Sequence, residues 1–380
     1  VSWTCDPVPV DPDFLATQPG GEGHDPVAHY LAHGLERGLN PTPWFVTEWY
    51  AWQNPDWNSA HRAPYLHYLE VGAAEGRDPS PFVDVQRYRE AMAGSIPAGA
   101  IYRSILEGIR SPALGVTDPE RLAEDRRRFM AGIRLHAPST RPVAEPRPAL
   151  VVLQAGRGSL ARRWYRDEGR EWDLLVNYYD AAGFVPGLGE YAVFQKGTKF
   201  SAMRLLLDRF EELVRTYDHV LFLDDDVETS VGDLNRLFSL CRKHRLDLAQ
   251  MGLTRDSSSN WPALFAQRGR TGPRPVSAVE IMMPTFSRAA LDLIRPTLGR
   301  SVSGFGLDLV WGKLVGAMGG QIAVLDEAVA AHRRPVDQSG GAFYGYLRRA
   351  GINAKAELWD LVTAYDARRD VVSGAFSDAA

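Results

Sequence analysis

Leu221-Phe222-Leu223-Asp224-Asp225-Asp226-Val227 is the stretch on which the reading of this chain turns. With His219 and Val220 before it, the apolar run predicts a short buried strand that ends abruptly in charge. In open α/β sheets ligands gather beyond the carboxyl ends of the strands, so such a strand would deliver its acids to the place where chemistry occurs. Three adjacent carboxylates repel one another, and a hard divalent cation is the usual compensation. Strand alternation would put Asp224 and Asp226 on one side and Asp225 on the other. Asp226 would then meet a metal-diphosphate directly, while Asp224 reaches a ribose or a metal-bound water. The plainer alternative is an acidic turn capping a helix near Ser230, but a cap needs only one such residue. A phosphoaspartate phosphatase would want Thr or Val two residues after its second aspartate, where this chain has Glu228.

The segments on either side alternate in kind. Apolar runs at 149–153, 173–178, 247–251, 276–283 and 321–325 predict strands. Phe200, Met203, Leu207, Phe210 and Val214 make one apolar stripe of a helix over 199–217. Strands alternating with helices predict an α/β fold, a layered and mostly parallel sheet with helices on both faces.

Four further segments could carry chemistry. In Ser303-Gly304-Phe305-Gly306-Leu307-Asp308, Gly304 and Gly306 would let the backbone approach an acceptor beside Phe305. Asp308, at the start of a helix, could be a general base or only a favourable N-terminal charge. His332, after the last strand, could complete the coordination of a Mn²⁺ held by Asp226, because intermediate metals accept oxygen and nitrogen; a surface or core role is the alternative. Arg333 and Arg334 beside it could neutralise a phosphate or sit in solvent. Lys196 and Lys199, in Phe194-Gln195-Lys196-Gly197-Thr198-Lys199 at a helix entrance, would attract phosphate, although their spacing is not that of a P-loop. Gly156-Arg157-Gly158-Ser159 lacks a full dinucleotide fingerprint; it reads as a turn first and a nucleotide contact second. Glu280 is an acid in an apolar run that either faces solvent or serves the acceptor site, and Asp256 could be an ordinary turn residue.

The front of the chain repeats. His29-Tyr30-Leu31-Ala32-His33-Gly34 through Gly38, with Pro41-Thr42-Pro43-Trp44-Phe45, returns 38 positions later as His67-Tyr68-Leu69-Glu70-Val71-Gly72 through Gly76, with Pro79-Ser80-Pro81-Phe82-Val83. Arg103 to Gly108 is a degraded third copy. Each unit predicts a short helix closed by Gly, then a Pro-locked turn and an aromatic plug. Trp44, Trp49, Tyr50, Trp52 and Trp57 are expected mostly in the core, with a glycan- or protein-docking surface as the alternative. The expected organisation is a helical, aromatic-rich repeat domain over 1–117 and a helix with a Pro-rich linker over 118–148. A catalytic domain follows over 149–340, then C-terminal helices and a tail over 341–380. Arg126, Arg127 and Arg128 read as a solvated helix face, with anionic-membrane attachment as a weaker alternative.

Composition bounds the rest. A chain of 380 residues, 45% hydrophobic and 24% charged, is long enough for two or three domains and argues against disorder. A formal net charge of -4 argues against a nucleic-acid coat. Two cysteines, Cys5 and Cys241, make no disulfide framework or zinc site, which favours a reducing compartment. The opening Val1-Ser2-Trp3-Thr4-Cys5 has neither the basic start nor the apolar stretch of a signal peptide, and no run reaches the length of a membrane span. A cytoplasmic protein is expected.

Taken in order, the segments at 193–200, 217–229, 279–288, 303–314 and 325–336 resemble the GT-A class of nucleotide-sugar-dependent glycosyltransferases. They are closest to a plant and bacterial family long labelled only as a domain of unknown function. The repeats resemble N-terminal segments attached to bacterial polysaccharide-building glycosyltransferases. The resemblance implies a GT-A, Rossmann-like fold and a divalent cation, Mn²⁺ or Mg²⁺, held by Asp224 and Asp226 with His332 as late ligand. It implies a nucleotide-sugar donor, UDP-linked by preference, contacted by Asp224, Asp225, Lys196, Lys199, Gly156 and Arg157. It further implies an oligosaccharide or lipid-linked glycan acceptor near Glu280, Gly304, Phe305 and Gly306, and Asp308 as the base of an inverting transfer. Surface-polysaccharide synthesis at the inner face of the membrane is the corresponding expectation, with contact to a membrane or an assembly complex. A non-catalytic glycan-binding protein and a sugar nucleotidyltransferase are the alternatives.

Overall fold

The computed structural model describes residues 8–21, 25–59, 63–139, 143–259, 261–335 and 341–367. The opening pentapeptide with Cys5, part of the Pro-rich linker, the last residue of the 325–336 segment and the end of the tail lie outside the described residues. The chain divides into two compact units, Val1–Leu122 and Ala123–Ala380.

The first unit is short helices around an aromatic core. Tyr30, Phe45, Tyr50 and Tyr65 are completely buried, and Trp49, Tyr68 and Tyr102 nearly so. The two repeat copies fold alike. Each passes through one π-helical turn, Tyr30–Gly34 and Tyr68–Gly72, into a short α-helix. Each then stops at a left-handed glycine, Gly38 (φ 67°) and Gly76 (φ 77°). The glycine that ends each π turn is required by packing: a side chain on Gly34 would enter the Tyr30 ring, and one on Gly72 the Tyr50 hydroxyl. That hydroxyl lies 3.0 Å from His67 Nδ1. Trp44, Trp49 and Tyr50 are buried as expected, whereas Trp52 and Trp57 are only half-buried. The degraded third copy is an ordinary α-helix, Ala98–Leu106, that keeps the closing left-handed glycine at Gly108.

The second unit is built on one ten-stranded mixed sheet flanked by helices. The strands are β1 Leu135–Ser139, β2 Ala149–Ala155, β3 Trp172–Tyr178, β4 Tyr191–Gln195, β5 His219–Leu223, β6 Val227–Glu228, β7 Leu248–Leu253, β8 Pro273–Pro275, β9 Thr285–Ser287 and β10 Ile322–His332. Their order is β1-β4-β3-β2-β5-β9-β7-β10-β6, with β8 on β10. β2 to β5 are parallel, and so are β7 and β10; the short β9 lies antiparallel between β5 and β7. The long strands therefore all run one way, and β2, β3, β5 and β7 are buried along their whole length. That burial on both faces is why they read as continuous apolar runs.

Several expectations are corrected. Residues 276–283 form no strand. The apolar run packs as a buried loop whose carbonyls serve the end of β5: Pro284 accepts from Phe222 N and Met282 from Asp224 N, each at 3.0 Å. Burial alone does not distinguish such a loop from a strand. The helix expected over 199–217 breaks at Phe210 into Lys199–Arg209 and Glu211–Val214. The segment expected as linker contributes a helix, Leu122–Gly132, and the edge strand β1. Arg126 does not share a solvated face with its neighbours. It is buried, and its Nη1 donates to Arg300 O at 2.8 Å and Asp360 Oδ2 at 3.0 Å. Arg128 is exposed and pairs with Glu124 and Asp125; consecutive helical residues point about 100° apart. Among the described residues no helix is long and apolar enough to cross a membrane.

The π turn of the second repeat gives a direct test. Gly72→Ala in the full chain should lower stability by about 1–3 kcal/mol through overpacking against Tyr50 and Tyr68, read by urea denaturation; an unchanged midpoint would show that the turn yields freely.

Candidate functional site

β5 ends at Leu223, so the three aspartates lie on a turn between β5 and β6 and not on the strand itself. Strand alternation therefore does not sort them. Their partners do, and each carboxylate has a different one.

Asp224 takes the cation of Lys199, with Nζ 3.0 Å from Oδ1. Lys199 Nζ also donates to the carbonyls of Ile281 at 2.6 Å and Met282 at 3.1 Å. It is the first residue of the helix Lys199–Arg209, whose N-cap Thr198 forms a capping box with Ser201. The capping box uses the Thr198 and Ser201 side chains at the helix entrance, and the Lys199 ammonium stands against a carboxylate. Burial lowers the Lys199 ammonium from its usual range, against the pull of Asp224. Burial, together with the charges of Asp226 and Asp225, pushes the Asp224 carboxyl up to about 6 despite Lys199.

Asp225 is a fastener. Its Oδ2 accepts from Gly156 N at 3.0 Å and from the Tyr179 hydroxyl at 2.8 Å, and Arg334 Nη1 lies 3.5 Å from Oδ1. Its carbonyl accepts from Leu160 N at 2.7 Å. These donors are all the chain's own, so Asp225 ties the turn after β5 to the loop after β2. A side chain on Gly156 would meet the tip of the Tyr179 ring and push it aside.

Asp226 meets His332. β10 pairs with β6 so that His332 stands opposite Val227, one residue from Asp226, and Arg333 N donates to Asp226 O at 3.0 Å. His332 Nε2 is 3.6 Å from Asp226 Oδ2. Its Nδ1 is 2.6 Å from Ser258 O, an acceptor only, so Nδ1 carries the hydrogen and Nε2 faces the carboxylate. Burial drives the imidazole down, but Asp226 outweighs it and brings the group up to about 9. For Asp226 burial acts upward, and His332 overcomes it to hold the carboxyl below its usual range.

Two more acids face this cluster. Glu280 accepts from Ser259 Oγ at 3.0 Å, and its backbone N donates to Gln250 Oε1 at 2.7 Å. Burial pushes its carboxyl up to about 7, with the charges of Asp308 and Asp224 adding to the rise and His332 opposing it. Glu280 is half-buried. Asp308 lies in the first turn of the helix Leu307–Ala317. Its Oδ1 accepts from Leu309 N at 3.0 Å, and burial pushes it up to about 7. Gly304 (φ 86°) and Gly306 (φ 83°), on either side of Phe305, launch that helix from left-handed backbone.

The turn, β10 and the Asp308 helix thus bring Asp224, Asp226, Glu280, Asp308, His332 and Lys199 to one site. Lys196 and Arg157 are exposed. Arg333 is taken by Glu228 and Asp256, which also assigns Asp256. Arg334 donates to Gly158 O at 2.7 Å, beside Asp225. Sequence reasoning missed Tyr179, Ser258 and Ser259, which carry no motif and meet the site only through the fold.

Among the described residues no three His, Cys, Asp or Glu side chains converge as a metal-holding group; Asp224 pairs with Lys199. The pair itself fits a divalent cation. Neighbouring ligands of one ion at about 2.1 Å stand roughly 3 Å apart, close to the 3.6 Å seen here. The carbonyl behind His332 fixes the ring as a metal-ligating imidazole needs. Two protein ligands leave room for substrate oxygens and water.

No protein-family model and no curated protein matches the chain. Among solved structures it is similar to GalNAc-T7 in a crystal structure with UDP, GalNAc and Mn²⁺. That likeness has 10% identity and a TM-score of 0.38, over 59% of this chain and 54% of that one. It is also similar to S. aureus TarS 1-349, with 13% identity and a TM-score of 0.31 over 48% of this chain and 59% of that one. The chain thus spans little more than half the length of each.

Tyr179→Phe should destabilise the protein by about 0.5–2 kcal/mol, because it removes a partly buried charge-assisted bond from Asp225. A thermal-melt comparison reads this, and a melting temperature equal to that of the parent would deny Asp225 its fastening role.

Proposed function

We propose that the chain is a metal-dependent glycosyltransferase of the GT-A type, moving a sugar from a nucleotide-sugar donor to a hydroxyl of a glycan acceptor with inversion. The observation that carries this reading is the pairing of Asp226 on the β5 turn with His332 on β10, beside the separate acid Asp308. It supplies a cation site and a base in one place. The resemblance of five ordered segments to that class adds to it.

Asp226 and His332 would hold the cation, which when bound neutralises the diphosphate oxygens of the donor. The remaining work belongs to the chain. Lys199 and the 281–282 carbonyls fix Asp224 at the edge of the site, where it meets the donor ribose. Asp308 Oδ2, which has no hydrogen-bond partner among the described residues, accepts the proton of the acceptor hydroxyl. The acceptor oxygen forms its bond to the anomeric carbon as the bond to the diphosphate breaks, the electron pair leaving with the diphosphate. Glu280, anchored by Ser259, orients the acceptor. Arg334 takes the charge-compensating place that Arg333 is too engaged to fill. UDP is the favoured carrier, and assembly of a bacterial surface polysaccharide is the setting that the repeats suggest.

A panel of nucleotide sugars with and without Mn²⁺, followed by thermal shift and donor hydrolysis, tests the reading. One donor should stabilise the protein only with metal, and Asp226→Ala should abolish that shift while leaving the fold intact. Equal stabilisation of the Asp226→Ala protein would remove the cation site. Asp308→Asn should cut turnover by about 10²–10⁴-fold with metal-dependent donor binding retained; near-normal turnover would exclude Asp308 as base.

The base form of Asp308 is lost as pH falls through about 7. Consequently kcat/KM should fall about tenfold per pH unit below that value and level off above it. Glu280→Gln should keep this inflection while raising the acceptor KM; its disappearance in that variant would transfer the base role to Glu280.

A further inference from the structure

Glu357 is a carboxylate without solvent access, in the first turn of the helix Ala354–Ala364. Each of its oxygens accepts a backbone N–H from a loop more than fifty residues earlier. Oε1 takes Val302 N at 2.9 Å and Oε2 takes Ser303 N at 2.7 Å, with Ser301 Oγ 3.5 Å from Oε2. Burial pushes the Glu357 carboxyl above its usual range while these backbone donors pull it back; a buried carboxyl is costly unless such donors satisfy it.

The loop it grips runs directly into Asp308. Its other donors are used locally, Gly304 N on Ser301 Oγ at 3.0 Å and Phe305 N on Ser303 Oγ at 3.3 Å. The same helix closes on the loop again at Gly306, where a Cβ would stand 3.4 Å from Leu358 Cα. A third hold comes through Asp360, one turn beyond Glu357. It accepts from Arg126 Nη1, which also donates to Arg300 O just ahead of the loop. Ser301–Gly306 has no regular structure of its own, so its shape depends on these outside contacts.

We propose that Glu357 is a positioning residue for Asp308: its carboxylate fixes the loop from which the Asp308 helix starts, and so sets where that acid stands. This rests on the reading of Asp308 as the base. The C-terminal helix is then part of the active centre, 49 residues beyond the acid it serves.

Glu357→Gln in the full chain turns one accepting oxygen into an NH₂ that opposes a backbone N–H. Three readouts are taken together: metal-dependent nucleotide-sugar affinity, kcat across pH, and the Asp308 titration by carboxyl ¹³C NMR, assigned against Asp308→Asn. The expected result is unchanged donor affinity, kcat lower by about 10- to 100-fold, and an Asp308 inflection moved away from about 7. Glu357→Asp keeps the charge one methylene short and should recover part of both losses; if the glutamine variant does not fold, the aspartate variant carries the test by its own displaced Asp308 inflection. An Asp308 inflection identical to that of the parent overturns the proposal, and so does a parallel loss of donor affinity and kcat. A parent protein that transfers no sugar, while its Asp308 inflection still moves in the Glu357 variant, would sink the transferase reading and leave the positioning role standing.

Discussion

Three carboxylates on consecutive residues, at the end of a strand buried on both faces, cannot share one environment. Their mutual repulsion in a desolvated place is the constraint around which the second unit is arranged. The chain answers it by giving each a separate partner: an ammonium for Asp224, backbone and phenolic donors for Asp225, an imidazolium for Asp226. Those partners come from the helix after β4, the segments after β2 and β3, and the last strand. Satisfying the turn therefore draws the carboxyl ends of the sheet together into one site.

The same economy explains why the site is asymmetric. Asp225 is consumed in holding loops, and Asp224 is balanced by a lysine that also pins the 281–282 carbonyls. Only the Asp226–His332 pair is arranged so that a cation could replace a proton between its members. Nearby, Glu280 and Asp308 lack cationic partners of their own, so burial raises both to about 7. One site thus holds carboxyls of opposite character, one kept ionised by its neighbour and two poised to exchange a proton near neutrality. The C-terminal helix extends this arrangement outward, spending a buried carboxylate on the loop that presents Asp308.

Much of this was legible without coordinates. The apolar runs that became β2, β3, β5 and β7 are buried along their length, and continuous burial leaves a continuous signature. The repeat was visible because both copies must place a glycine against a tyrosine. The run at 276–283 misled because a buried loop and a buried strand look alike in composition. The edge strand β1 was hidden among prolines that an edge tolerates.

Local chemistry in the sequence determined that three acids follow a buried strand, that an acid follows Gly304-Phe305-Gly306, and that a histidine ends the last strand. Pairing across the sheet decided what each would do. The register of β10 on β6 sets His332 beside Asp226, and Lys199, read as a phosphate ligand, pairs with Asp224 and the 281–282 carbonyls. The bond from Tyr179 to Asp225 spans 46 residues and those from Glu357 to the 302–303 loop span 54 and 55. Such contacts leave no periodic trace, since periodicity records which face of one element is buried and not which distant side chain completes it.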